Sequence, residues 1–286
     1  MKAGFGNCNG TFGELVQGVI EDRPLLISFP IPIFNSKAMY INDLESPLSV
    51  SPPKEKVKRA CEKFLDYYSL PSHGHLFLES NIPEGKGFSS SSADIIASIR
   101  AIADCLRLSI SDKLLSEIAT QIEPTDPVMY NDVVAYDYIH GQLIEKFGVL
   151  PDLWLLGIDT GGQVDTVSFN EAKKAYSEND KEAFRKAYHL VKKGSETKDV
   201  ADIFAAATIS ATINQKFLQK PYFNELKNLA QKFHGGLIAA HSGTVIGILM
   251  ERNHSNDIHQ LIEEMEKIDL APILIKLQSS ISSSSC

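Results

Sequence analysis

Apolar residues recur at spacings of four, three and four through Ile95, Ile99, Ile102 and Leu106, which predicts a helix with one buried face. A second stripe, Val57, Cys61, Phe64 and Leu65, lies in a charged stretch and predicts an amphipathic helix over Lys54 to Tyr68. Leu114, Leu115, Ile118 and Ile122 predict a third. It opens at Ser109-Ile110-Ser111-Asp112 in the manner of a capping box, and Pro124 ends it by forcing Glu123 out of helical geometry. Leu76 to Leu78 and Leu153 to Ile158 read as strands, and Gly236 to His241 and Val245 to Met250 as two strands joined through Ser242-Gly243-Thr244. Leu25 to Phe34 is apolar but carries Pro30 and Pro32, which suits an edge strand or an irregular strand end. The pattern restarts near residue 150. Charged helices are expected over Asn170 to Tyr176 and Lys181 to Lys192, their charge most simply a solvated face, and a longer helix over Asp199 to Lys216. Ser279 to Cys286 is low-complexity and expected to fray. Strands mixed with helices, without an internal repeat, imply an α+β chain in two parts, 1–150 and 151–286.

Composition narrows the functional classes. The 286 residues are 43% hydrophobic, enough for one large or two ordinary domains. A formal charge of −8 with a pI near 5.5 argues against a broad nucleic-acid or anionic-membrane surface. An enzyme for a polyanion would then have to concentrate its positive potential locally. No apolar run is long enough to cross a membrane, and the first residues lack a basic-then-apolar signal pattern. Cys8, Cys61, Cys105 and Cys286 are scattered without metal spacing, so a cytoplasmic location without structural zinc is expected. His73-Gly74-His75 reads as a surface loop.

The most informative segment is Ile82-Pro83-Glu84-Gly85-Lys86-Gly87-Phe88-Ser89-Ser90-Ser91-Ser92-Ala93-Asp94, a glycine turn that becomes a run of small hydroxyl residues and opens the first helix. Free N–H groups at such a helix start, with the positive end of the dipole behind them, suit an anion, and a Ser hydroxyl can complete the shell of Mg²⁺. The segment is neither a Walker A loop nor a dinucleotide fingerprint, and its serines also suit a simple helix cap. Asn9-Gly10-Thr11-Phe12-Gly13-Glu14-Leu15-Val16-Gln17-Gly18 suggests a tight turn with Glu14 at its edge, which by spacing alone is a hairpin with a solvent-facing acid. Glu123-Pro124-Thr125-Asp126-Pro127 places two carboxylates on a proline-stiffened loop, either a shared centre or a solvated acidic turn. In Ala239-Ala240-His241-Ser242-Gly243-Thr244-Val245-Ile246-Gly247, small residues between strands allow close backbone approach, and His241 is either a ligand contact or a packed core histidine. Asp159 to Thr166 is polar and turn-like, with Thr166 a weak pocket candidate.

The first four of these segments, in their order along the chain, resemble the motifs of the GHMP kinases. Pro83, Gly87, Phe88, Ser90, Ser91 and Ala93 match the family's phosphate loop, with Ser89 where a second Gly is usual. Gly13-Glu14-Leu15-Val16-Gln17-Gly18, Glu123-Pro124-Thr125-Asp126 and the Ala-His-Ser-Gly-Thr-Val-Ile-Gly string from Ala240 are similar to the L-threonine kinase branch, whose enzymes serve cobalamin side-chain synthesis in the propanediol-utilisation context. The Lys of the first motif in mevalonate-type members is absent, so no transition-state Lys carries over. The resemblance implies a ribosomal-S5-like N-terminal part and a ferredoxin-like C-terminal part. It implies ATP phosphates along Gly85, Gly87, Phe88, Ser89, Ser90, Ser91 and Ser92, and Mg²⁺ on Ser91 and Glu123. It further implies Asp126 as candidate base, and acceptor contacts from Thr11, Glu14, His241, Ser242, Gly243 and Thr244.

The expected activity is ATP- and Mg²⁺-dependent phosphorylation of a small alcohol, L-threonine first. L-serine, L-homoserine or another alcohol stays open, because no residue is assigned to an amino-acid carboxylate. A non-catalytic sensor of the same fold is the second class. A Ser hydrolase is disfavoured, since no Gly-x-Ser-x-Gly elbow occurs. The expected partner is a small-molecule substrate, with neither nucleic acid nor membrane, and a homodimer is compatible with the chain.

Overall fold

The computed structural model describes residues 2–162, 164, 174–253 and 255–277. Strand β1 (Lys2–Thr11) pairs antiparallel with the long β4 (Pro30–Asn42), which pairs in turn with β6 (His75–Ser80). The short β5 (Ser49–Ser51) joins β6 in parallel and completes the first sheet. Helix α2 (Ser90–Leu106) lies across β1 and β4, buried through Ile95, Ile96, Ile99 and Ile102, as the sequence periodicity predicts.

Glycines in β1 set how closely α2 approaches. A Cβ at Gly4 would stand 2.2 Å from the Cys105 nitrogen, and one at Gly6 2.1 Å from the Ala97 carbonyl oxygen. Both obstacles are backbone, so neither can swing aside. Gly6→Ala should therefore force strand and helix apart and cost about 3 kcal/mol or more, a large example of overpacking. Thermal denaturation checks this, and an unchanged melting temperature would show that β1 and α2 are not in backbone contact.

Helix α1 (Glu55–Tyr67) buries the expected Val57, Cys61, Phe64 and Leu65. Helix α3 (Asp112–Thr120) is capped by Ser111, whose side chain accepts the Leu114 N–H, without the reciprocal half of a capping box. It ends at Thr120, earlier than the Pro124 argument required, and Ile122 packs from the turn that follows. The second sheet, in the order β2 (Val16–Ile20), β3 (Arg23–Ser28), β7 (Val133–Asp137), β8 (Gln142–Gly148), is antiparallel throughout.

The apolar stretch from Leu25 to Phe34 divides, contrary to its uniform assignment as an edge or irregular end. Leu26 and Ile27 pair with both β2 and β7 and are interior. The prolines fall beyond them, where β4 starts: Pro30 is its first residue, and Pro32 lies in the irregularity between the Gly10–Ile31 and Asn9–Asn35 pairs. Neither is asked to donate a central ladder hydrogen bond. His73-Gly74-His75 is likewise not all loop, because His75 begins β6.

The third sheet, ordered β10 (Gly236–Ala239), β11 (Val245–Glu251), β9 (Leu153–Asp159), β12 (Ile273–Leu277), carries helices α6 (Phe223–Lys232) and α7 (Ser255–Glu266). Leu156, Ile158, Leu226, Ile246, Ile248 and Leu261 form its own apolar cluster. Helix α4 (Glu178–Thr197) opens with a full Ser177–Asp180 capping box, and α5 (Val200–Asn214) is capped by Asp199. The expected helix over Asn170 to Tyr176 is not borne out at its described end, where residues 174–177 are non-helical; residues 170–173, like Ser279 to Cys286, lie outside the described residues. Among the described residues no helix is long and apolar enough to cross a membrane.

Candidate active site

The glycine–serine segment is held from behind by its own carbonyls. The Lys86 oxygen accepts from Thr244 N (2.9 Å) and Val245 N (3.2 Å), the Gly87 oxygen from Gly13 N (3.0 Å) and the Phe88 oxygen from Thr11 N (3.1 Å). Phe88 is a buried peg against Phe12 and Phe34, with ring centroids 5.6 and 4.7 Å away. Gly87, at φ 96°, could not be replaced, since a Cβ there would meet that of Ala240 at 2.3 Å. With the carbonyls satisfied inside, the start of α2 is left open. Ser89 occupies the N-cap position but makes no capping hydrogen bond, and the N–H groups of Ser90, Ser91 and Ser92 have no protein acceptor among the described residues. The simple helix cap is thus not what these serines build. Ser89 sits at φ 60°, ψ 35°, the left-handed region a glycine would adopt freely, and its hydroxyl is engaged with that of Thr11.

Two carboxylates converge on this open end. Ser91 Oγ donates to Glu123 Oε1 and Lys56 Nζ to Glu123 Oε2, so a buried acid is fixed from both sides. The loop carrying it is pinned by Thr125 N to the Tyr138 carbonyl (2.9 Å) and by Asp126 N to Ser92 Oγ (3.3 Å). The solvated acidic turn is therefore excluded. Burial pushes the Asp126 carboxyl up to about 7; the nearby negative charge of Glu14 adds to this, and a hydrogen bond from Ser89 opposes it.

Glu14 is buried rather than solvent-facing. Gly13, at φ 51°, turns the chain so that Glu14 bridges to Ala239, and a Cβ at Gly13 would stand 2.7 Å from Ala240 N. Glu14 Oε2 accepts from His241 N (2.8 Å) and lies 3.0 Å from His241 Nδ1. On the far side His241 Nε2 lies 2.9 Å from Ser210 Oγ, which already accepts the Gln17 N–H at 3.0 Å. One assignment satisfies every group: Ser210 donates to Nε2, and Nδ1–H donates to Glu14. Burial holds the imidazole below its usual pKa, in keeping with that neutral form. His241 is the packed histidine of the two alternatives, and it orients Glu14.

The cleft enclosed by these segments is lined by Glu14, Ser242, the loop from Gly85 through Ser92, Glu123 and Asp126. Sequence reasoning missed Lys56 and Tyr138, which also line it. Lys56 had no signal, being one of several charges on the polar side of α1. Four expected residues stand behind the wall. Thr11 holds Ser89, and His241 holds Glu14. Gly243 packs on the loop, where a Cβ would stand 2.3 Å from the Lys86 oxygen, and Thr244 bonds Asp159 at 2.5 Å. Thr166 lies outside the described residues. Gln17 Oε1 is buried without a hydrogen-bond partner among the described residues, an arrangement that costs about 1–3 kcal/mol until a donor arrives.

Among solved structures the fold is similar to homoserine kinase from Cytophaga hutchinsonii, with a TM-score of 0.74 over 98% of this chain and 96% of that one, at 15% identity. It is equally similar to Streptococcus pneumoniae phosphomevalonate kinase solved with phosphomevalonate and AMPPNP, with a TM-score of 0.74 over 97% and 100%, at 13% identity. Residues 55–135, which hold α1, the serine loop and both Glu123 and Asp126, match the family model described as the GHMP kinases N terminal domain. Residues 55–135 are thus similar to the N-terminal domain of the GHMP kinases, and the chain shares the α+β architecture of these two solved kinases. In sequence the chain is similar to L-threonine kinase of Salmonella typhimurium, 28% identical over 264 residues that span 89% of this chain and 85% of that protein. It is also similar to L-threonine kinase of Citrobacter freundii, 26% identical over 252 residues and 86% of each.

Proposed function

We propose that the protein transfers the γ-phosphoryl group of ATP to the hydroxyl of a small alcohol, L-threonine first among the candidates, in a two-part chain divided near residue 150. The observation that carries this reading is the convergence of Glu123 and Asp126 on an uncapped helix start whose N–H groups have no protein acceptor among the described residues. The similarity to two L-threonine kinases supports L-threonine as the first candidate acceptor.

Phosphoryl transfer asks mainly for positioning and charge stabilisation. Gly85, Gly87, Phe88 and Ser89 through their backbone, and Ser90, Ser91 and Ser92 at the helix start, would bind the phosphates. Mg²⁺ fits Ser91 and Glu123: their oxygens are hard donors already in contact, and a magnesium site of this kind draws its other ligands from phosphate and water. When bound there it would neutralise charge developing on the phosphoryl oxygens. Lys56, paired with Glu123, brings a further positive charge to the same end. Asp126, its proton affinity raised by burial, would accept the acceptor's hydroxyl proton. Glu14, steered by His241, faces the acceptor end beside Ser242 and Tyr138.

Coupled ADP release with MgATP against L-threonine, L-serine, L-homoserine and simple alcohols tests this. O-phosphothreonine identified by ³¹P NMR is the expected product. Turnover confined to another alcohol would keep the kinase and replace the acceptor, whereas nucleotide binding without turnover on any acceptor would favour the sensor.

A further inference from the structure

Lys220 is a buried cation without an ion-pair partner among the described residues. The residue is 6% exposed, its Nζ donates to the Gly243 carbonyl, and it forms no ion pair among the described residues. Its backbone is clamped on both sides by the Gln215 amide, which accepts the Lys220 N–H at 2.9 Å and donates to the Lys220 carbonyl at 3.3 Å. The side chain is thus built into place and is not a surface lysine folded inward. Buried ammonium groups are normally paired, because a carbonyl alone does not replace lost hydration. Burial accordingly pulls the Lys220 ammonium down to about 8.

The direction of this charge is informative. Gly243 follows Ser242, which lines the cleft beside Glu14. Of the three cleft carboxylates, Glu14 is the one whose charge bears on Lys220, and the charge of Lys220 reaches His241, the partner of Glu14. Glu123 and Asp126, at the phosphate end, do not figure among its influences. The half-buried Lys174 also bears on Glu14 and His241. Lys220 is the buried ammonium group of the two.

We propose that Lys220 seats a carboxylate of the acceptor, so that the pocket takes hydroxy acids and hydroxy amino acids in preference to plain alcohols. This deepens the kinase reading and rests on it for the position of the hydroxyl. A zwitterionic acceptor would also meet Glu14 and the unpartnered Gln17 Oε1 with its ammonium group.

The test compares L-threonine with L-threoninamide, and the corresponding serine and homoserine pairs, in wild type, Lys220→Gln and Lys220→Met. Wild type should prefer each acid over its amide. Both variants should raise KM for the acid roughly 10–100-fold, the value of a hydrogen bond to a charged group, with KM for MgATP unchanged. The amide's KM should move little. Lys220→Gln keeps a donor for the Gly243 carbonyl, so a mere brace would survive in it and fail only in Lys220→Met. Equal use of acid and amide by wild type would overturn the proposal, as would a KM increase for MgATP alone, which would put Lys220 on a nucleotide phosphate. Calorimetric binding of the same pairs reads the discrimination without turnover. Absence of MgATP binding would sink the kinase reading separately, while acid-over-amide binding lost in both variants would still support the carboxylate seat.

Discussion

Asp126→Asn should lower kcat by roughly 10²–10⁴-fold, the usual worth of a positioned general base. The KM values should change little, because the amide keeps the size of the side chain and the Asp126 backbone contact to Ser92 is untouched. A pH dependence accompanies the loss. A base works when ionised, so kcat/KM in wild type should rise with pH along a limb that begins from about 7 in the metal-free site. Bound Mg²⁺, by its charge, moves that limb to lower pH. The limb should be absent in Asp126→Asn. Stability should respond in the opposite sense. A carboxyl whose folded pKa lies above its unfolded value, near 4, costs nothing below that value and its full penalty above about 7. Metal-free Asp126→Asn should therefore melt above wild type at pH 8 and level with it at pH 4. A loss of activity below fivefold, with the pH limb retained, would reduce Asp126 to a positioning role.

Glu123→Ala is the second large effect. It removes the one carboxylate in contact with Ser91 and leaves Lys56 without its ion-pair partner. If Glu123 helps to hold the metal, several kcal/mol of charge stabilisation go with it, or about 10³-fold in rate. The Mg²⁺ concentration for half-maximal rate should rise together with that loss, and the L-threonine affinity measured without nucleotide should stay close to wild type. Titration of activity against Mg²⁺ separates this from misfolding: a variant with low kcat and an unaltered Mg²⁺ requirement would place Glu123 outside the metal shell. Ser91→Ala should shift the Mg²⁺ requirement in the same direction but less, because a neutral hydroxyl contributes less than a carboxylate.

Much of the site was legible because its signals are local. The serine run of α2 and the acids after α3 each show themselves within a few residues, and their order along the chain carried the family resemblance. The same holds for the fold's stripes: Ile95, Ile99 and Ile102, or Val57, Cys61 and Phe64, need no knowledge of what they pack against. Spacing misled where a role depends on a remote partner. Glu14 looked solvent-facing on its own turn, yet it is buried against His241, 227 residues away. Lys56 was indistinguishable from its charged neighbours until Glu123, 67 residues on, came to meet it.

The amino-acid sequence by itself determined the helical faces, a serine-lined helix start and the presence of two acids on a stiffened loop. Hydrophobic periodicity and turn chemistry are short-range properties, so these features follow from neighbouring residues. Tertiary structure alone decided which polar groups line the cleft and which stand behind it: Gly243 and Thr244 brace the loop, His241 orients Glu14, and Lys220 is buried without an anion among the described residues. The reason is that desolvation and charge pairing depend on distance through space, and the path of the chain brings those groups together only once the sheets have packed.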